Sequence, residues 1–386
     1  MNNLRRKEFP WAMMFLAPSI AGVIAFVIFP VFFALAMAFT NWDLTHREPL
    51  AFIGLDNFRR LLWGDESPRF WKSAINTLYL AMGVPVSIAG SLMLALMLAG
   101  PVGGSNGHAR AGRKVMLGAC GLGFAGVVIL LMRGWTDAAF LAGLFFTICV
   151  AGAAIGSVFF RTLFYLPYFT SGVALFILWK HLYHPDIGPI NAGLSFLIEH
   201  IQAIIPGISA AKVELPKWLS SVNNLWGMAP ETMSPSKQFF GLGARDAILI
   251  MGIWCTIGGN NMLLFLAGLG NVPKTLYESA AIDGAGRWAT FREVTWPHLA
   301  PTTFFILIIS AMACFQGGFE QARVMTQGGP AGTTVTLGYQ LYIVGFEEFR
   351  LGLASAISWI IFLITLIFTL AGWRFGNRYF DGEIES

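Results

Sequence analysis

Long apolar runs, separated by shorter stretches that carry almost all of the charge, set the pattern of this chain. Eight runs stand out, at 11–39, 76–99, 115–132, 138–160, 162–182, 247–269, 299–319 and 351–373. A hydrocarbon core about 30 Å thick needs about 20 mainly apolar residues to cross it as a helix. Lipid offers no partner to backbone N–H and C=O groups, so such runs are read as helices. Apolar residues fill every face of them, which leaves no alternation for a strand. The pattern predicts an all-α, polytopic integral membrane helix bundle of about eight transmembrane helices.

Composition agrees. The chain is 56% hydrophobic and 12% charged, against about 25% charged in ordinary globular domains, which excludes a soluble fold. The net charge of +4 is small and points to no nucleic-acid partner. Its distribution sets orientation. Arg5, Arg6, Lys7, Arg110, Arg113, Lys114, Arg161, Lys274, Arg287, Arg292, Arg374 and Arg378 fall on one side of the membrane, mostly on short loops. That density favours both termini in the cytoplasm over the inverted topology, which stays open. The basic N-terminus and first apolar run are read as a retained helix, because the run is too long for a signal peptide and no cleavage site follows it. Cys120, Cys149, Cys255 and Cys314 all lie in apolar runs and form no C-x-x-C pair, so they are read as packing residues.

Between the runs at 247–269 and 299–319 lies a polar segment with its own helical logic. Pro273 fits a first helical turn, and Lys274 to Ile282 is free of breakers. Asp283-Gly284 then stops the helix, since glycine accepts the left-handed conformation there. A second helix is predicted from Ala285 to Thr295, ended by Pro297. Trp288, Phe291 and Val294 are spaced to form one apolar stripe on it. Such a stripe suits docking into a partner's groove. Periodicity alone leaves open a solvated hairpin whose aromatics lie at the lipid interface.

The chain has no G-x-x-x-x-G-K-[ST] phosphate loop, no catalytic triad and no zinc-ligand cluster. It is read as non-enzymatic.

Glu278, Ala280, Asp283 and Gly284, followed at fixed spacing by Pro297, resemble the EAA signature of ATP-binding-cassette importer permeases; Ser279, Val294 and Trp296 depart mildly from it. Phe39-Thr-Asn-Trp42, Phe160 to Pro167, Asn191-Ala-Gly, Phe265 to Leu269, Thr326 to Pro330 and Phe346 to Ala354 look like the carbohydrate-uptake branch of that family. The resemblance covers about three quarters of the chain. It implies a type I importer core of six helices within the eight. It also implies a second related permease, two copies of an ATPase that hold ATP and Mg, an external solute-binding protein, and residence in the bacterial inner membrane, with no cofactor on this chain. Glu278, Ala280, Asp283, Gly284, Trp288, Phe291 and Pro297 would couple this chain to the ATPase.

On this reading residues 1–100 hold the first two membrane helices, 101–158 an inserted transmembrane hairpin, and 159–386 the permease core, with an external loop at 195–245 and the coupling loop at 270–298.

A solute path needs polar groups at membrane depth, where they are costly otherwise. Asn260 and Asn261, behind Gly258-Gly259 and near Trp254, are candidates; Ser310, Cys314 and Gln316 on the helix after the coupling loop are others. Amides pair with hydroxyl groups, but Asn and Gln also serve as packing contacts between helices, and both readings stand. The runs carry no Arg or Lys to clamp an anion, although Lys180, Arg245 and Arg323 lie near the outer edge. Membrane-depth positions therefore favour a neutral polyhydroxy solute. Two other classes remain open: an ion-driven secondary transporter, which predicts intramembrane acids that the deep helices lack, and a membrane receptor that recruits a cytosolic partner without transport.

Overall fold

The computed structural model describes residues 2–45, 49–99, 157–170, 172–204, 215–227 and 241–384. The first span is α1 (Asn2–Val23), a π-helical turn at Ile24–Ile28, and α2 (Phe29–Ala38). Then come α3 (Asp56–Leu62), α4 (Ser67–Ala81), α5 (Gly83–Leu98), α6 (Ser157–Phe169), α7 (Gly172–Leu182) and α8 (Pro189–Ile204). The C-terminal part holds α9 (Ala244–Ile257), α10 (Asn260–Asn271), α11 (Lys274–Ile282), α12 (Arg287–Thr290), α13 (Trp296–Gln316), α14 (Phe319–Met325), α15 (Leu337–Tyr342) and α16 (Leu351–Ile384). Five described stretches are long and apolar enough to cross a membrane: Met13–Ala38, Ser67–Leu98, Ala244–Asn271, Arg287–Gln316 and Leu351–Arg374.

Two expected runs and one expected loop are built differently. The run at 162–182 is two helices, α6 and α7. The run at 247–269 is broken between α9 and α10 at Gly258-Gly259, where glycine brings backbones together. The external segment expected as a loop from 195 begins as helix, since α8 continues to Ile204. The inserted hairpin expected from 115 to 160 lies outside the described residues, apart from the start of α6.

The chain forms two compact units. The first comprises Met1–Ala81, Lys180–Ala247 and Met312–Leu370. Its core joins Ala38, Leu61, Phe70, Leu337, Val344 and Leu353 to Ala356, Ile357 and Ile361. Buried polar groups lock its loops onto that core. Asn57 donates to the carbonyls of Ala38 (2.9 Å) and Thr40 (2.8 Å), and Asn76 donates to those of Gly332 (3.0 Å) and Val335 (2.8 Å). Trp218 is buried and donates from Nε1 to Asn191 Oδ1 at 2.7 Å. Gly352 lies so near the segment after α2 that a Cβ there would sit 2.2 Å from the Thr40 carbonyl oxygen.

The second unit comprises Met82–Trp179, Ile248–Ala311 and Ala371–Ser386. Here α5 packs against α10, and Ile88, Ala95, Leu98, Met262, Phe265, Leu269, Leu299 and Ile306 form the core.

Candidate coupling loop and solute path

Helix α11 occupies the predicted residues, Lys274–Ile282, with Pro273 at its N-cap. Its C-terminus is a Schellman turn. Gly284 has φ +75°; its N–H reaches the Ala281 carbonyl at 3.2 Å, while the Ala285 N–H reaches the Ala280 carbonyl at 2.9 Å. The conformation satisfies two carbonyls that the helix end leaves open. It also exposes Asp283, Gly284 and Ile282, the last at 86%.

The return leg starts at Arg287, capped by Gly286. It does not stop at Pro297. Four residues of α-helix are followed by a π-helical turn, Phe291–Thr295, in which the Trp296 N–H bonds the Phe291 carbonyl, and α13 continues directly from it. The wide turn restarts the helix, so Pro297 falls in the opening turn of α13, where a missing N–H is tolerated. The coupling leg is therefore continuous with a membrane-spanning helix.

The two legs are tied from inside. Tyr277 and Thr295 are both buried, and their hydroxyls lie 3.1 Å apart. The expected stripe is partly outward. Trp288 is 73% exposed and stacks on Phe291 (centroids 5.6 Å, 27°), which in turn meets Trp296, whereas Val294 is half-buried. The Glu278 side chain is exposed and makes no ion pair among the described residues. Sequence reasoning missed Tyr277 and Ile282. A tyrosine one residue before the acidic position, and an isoleucine just before Asp283-Gly284, were the available signals.

The solute-path candidates fall in both units. In the second, Trp254 is half-exposed and meets Trp179 edge to face at 5.4 Å. A Cβ on Gly258 would lie 2.2 Å from the Phe164 carbonyl oxygen, so the break between α9 and α10 is seated directly on α6. Asn260, exposed, and Asn261, half-buried, open α10 just after it. Tyr168 on α6 lines the same break, stacked on Tyr165 at 5.3 Å, and neither was singled out from sequence. Ser310 is half-buried on α13. In the first unit Gln316 is exposed, while Cys314 Sγ approaches the Thr77 carbonyl at 4.0 Å, a packing contact.

One buried acid was not anticipated. Asp246, in the first turn of α9, is fully buried. It accepts from the Gly243 N–H (3.1 Å), the Leu225 N–H (3.4 Å) and the Tyr79 hydroxyl. Beside it Arg245 donates to the Thr333 carbonyl at 2.9 Å. With three donors on its oxygens, Asp246 serves as a structural anchor.

Residues 139–378 match the model of the binding-protein-dependent transport system inner membrane component family. The chain belongs to that family. It is a membrane-embedded permease subunit of an ATP-driven importer, which sets aside the ion-driven transporter and the receptor. The probable ABC transporter permease protein YesP of Bacillus subtilis (strain 168) is 29% identical over 369 residues, 95% of this chain and 90% of the relative. The sn-glycerol-3-phosphate transport system permease protein UgpA of Brucella abortus biovar 1 (strain 9-941) is 31% identical over 223 residues, 58% of this chain and 64% of the relative. In fold the permease is similar to a chain of a bacterial ABC transporter involved in the import of the acidic polysaccharide alginate. The TM-score is 0.64 at 21% identity, covering 97% of this chain and 98% of that one.

Proposed function

We propose that this permease carries a sugar or a related polyhydroxy solute inward by alternating access, powered by separate ATPase subunits that dock on the 270–298 loop. The observation that carries the reading is the exposure of Ile282 (86%) and Trp288 (73%) around the Gly284 turn. Two large apolar side chains presented on a tied, polar loop need a partner's groove to cover them. Docked there, an ATPase pair that closes on ATP moves α12 and, through the continuous helix, α13. ATP binding drives the cycle to the extent that it stabilises one permease state over the other.

In this scheme ATP and Mg sit on two copies of the ATPase subunit, a second related permease completes the path, and an external binding protein delivers the solute. Both termini face the cytoplasm in the inner membrane, as the charge distribution indicates. The path residues on the second unit are Trp254, Asn260, Asn261 and Ser310; the amides of Asn260 and Asn261 and the Ser310 hydroxyl pair with solute hydroxyls. The relatives' names, which include glycerol phosphate and alginate systems, support a polyhydroxy solute.

The test is uptake of labelled saccharides, and of glycerol 3-phosphate, into vesicles holding the assembled importer with its binding protein outside. ATP-dependent accumulation of at least one of these solutes is expected. ATP-dependent accumulation of none, in an importer that still hydrolyses ATP, contradicts the substrate class.

A further inference from the structure

Directly after α13, the first unit presents an aromatic ladder with a cation set into it. Phe319 meets Tyr339 at 5.7 Å and Tyr342 at 4.7 Å, and Tyr342 stacks on Phe346 at 5.3 Å and 23°. Tyr339, Tyr342 and Phe346 follow one another along α15 and the π-helical turn Ile343–Glu347. Phe346 is 62% exposed. The Arg323 guanidinium lies 4.2 Å from the Tyr342 ring centroid and 5.7 Å from that of Phe319.

Arg323 differs from its neighbours in how its charge is used. In the same unit Arg60 is paired with Asp65, Arg69 with Glu348, and Arg350 with Glu66 and Glu348. Arg323 is exposed and forms no ion pair among the described residues; Glu347 acts on it only at longer range. Stacking on rings fixes a guanidinium plane while leaving its N–H fork able to take a planar carboxylate in two parallel bonds. The rings beside it offer flat apolar area. A lipid-interface belt asks only that aromatics sit at headgroup depth; it does not call for a cation held over two of them.

We infer that Arg323, with Phe319, Tyr342 and Phe346, forms an outer subsite that binds the carboxylate of an acidic saccharide while the ladder covers its ring. The inference rests on the polyhydroxy-solute reading above and narrows it: the discriminating charge is placed at the outer mouth, seven residues beyond Gln316, whereas the membrane-depth positions supply none. Arg323 is then a specificity-determining residue.

The test compares binding of trigalacturonate and of the neutral maltotriose by the assembled importer without its binding protein. The importer is held in nanodiscs of phosphatidylcholine alone, so that an acidic lipid cannot supply the competing anion. Wild type is expected to bind the uronate more tightly by about tenfold or more, as a charge-assisted pair allows. Arg323→Gln should remove that preference and leave maltotriose binding unchanged. Arg323→Lys, which keeps the charge and loses the fork, should fall between them. Tyr342→Leu should weaken both ligands. A uronate preference that Arg323→Gln leaves intact overturns the subsite, as does the absence of any preference in wild type. Both outcomes are distinguishable from failure of the underlying reading, in which no saccharide is taken up with ATP.

Discussion

The hydroxyl of Tyr277 lies 3.1 Å from that of Thr295, across the coupling loop from one leg to the other, with both residues buried. This bond ties one leg of the loop to the other. Removing one partner strands the other, which costs about 1–3 kcal/mol where no water can enter. Tyr277→Phe is therefore expected to loosen the loop without unfolding the helices. Protease cutting near 284 should rise, and solute moved per ATP hydrolysed should fall. Adding Thr295→Val should recover part of the loss, because neither polar group is then left alone; no recovery would mean that the bond is not what ties the legs.

Gly284 makes a different demand. A Cβ there meets nothing within 4 Å, so space is no obstacle, but φ is +75°. A β-branched residue pays for that conformation and asparagine pays least among non-glycine residues. Gly284→Val should lose ATPase subunits during purification, whereas Gly284→Asn should retain most of them. Equal retention by both variants would show that the left-handed turn does not matter for docking.

Gly252, inside α9, and Gly258, in the break after it, give a clean contrast. At Gly258 a Cβ would lie 2.2 Å from the Phe164 carbonyl oxygen, and at Gly252 it meets nothing within 4 Å. Gly258→Ala should lower the melting temperature of the detergent-solubilised protein by several degrees through forced separation of α6 from the helix break. Gly252→Ala should leave it unchanged or raise it slightly, since alanine is the better helix former by about 1 kcal/mol.

Much of the coupling loop was legible in the chain because its signals are local. A breaker-free stretch, Asp283-Gly284 and a proline ahead of it define α11 without help from packing, and its predicted and observed ranges agree. Pro297 misled because its effect depends on hydrogen-bond register: at the opening of a new helical segment after a π-helical turn it costs nothing, which local propensity does not reveal. The break at Gly258-Gly259 was noticed as glycine, yet what it packs against, the Phe164 carbonyl, lies almost a hundred residues away in sequence. Tyr277 and Asp246 were missed for the same reason. Burial and partners at Thr295, Tyr79 and Leu225 are properties of the fold, and neither residue sits in a pattern that separates it from its neighbours.

The most direct measurement is ATP-dependent solute uptake by the assembled importer carrying Ile282→Ser with Trp288→Ser, two substitutions on exposed side chains that spare the loop's internal bond. The account predicts that the permease still folds and inserts, that the ATPase subunits dissociate from it, and that uptake falls to the level seen without ATP. Wild-type uptake with the ATPase still attached would contradict the assignment of the 270–298 loop as the coupling element.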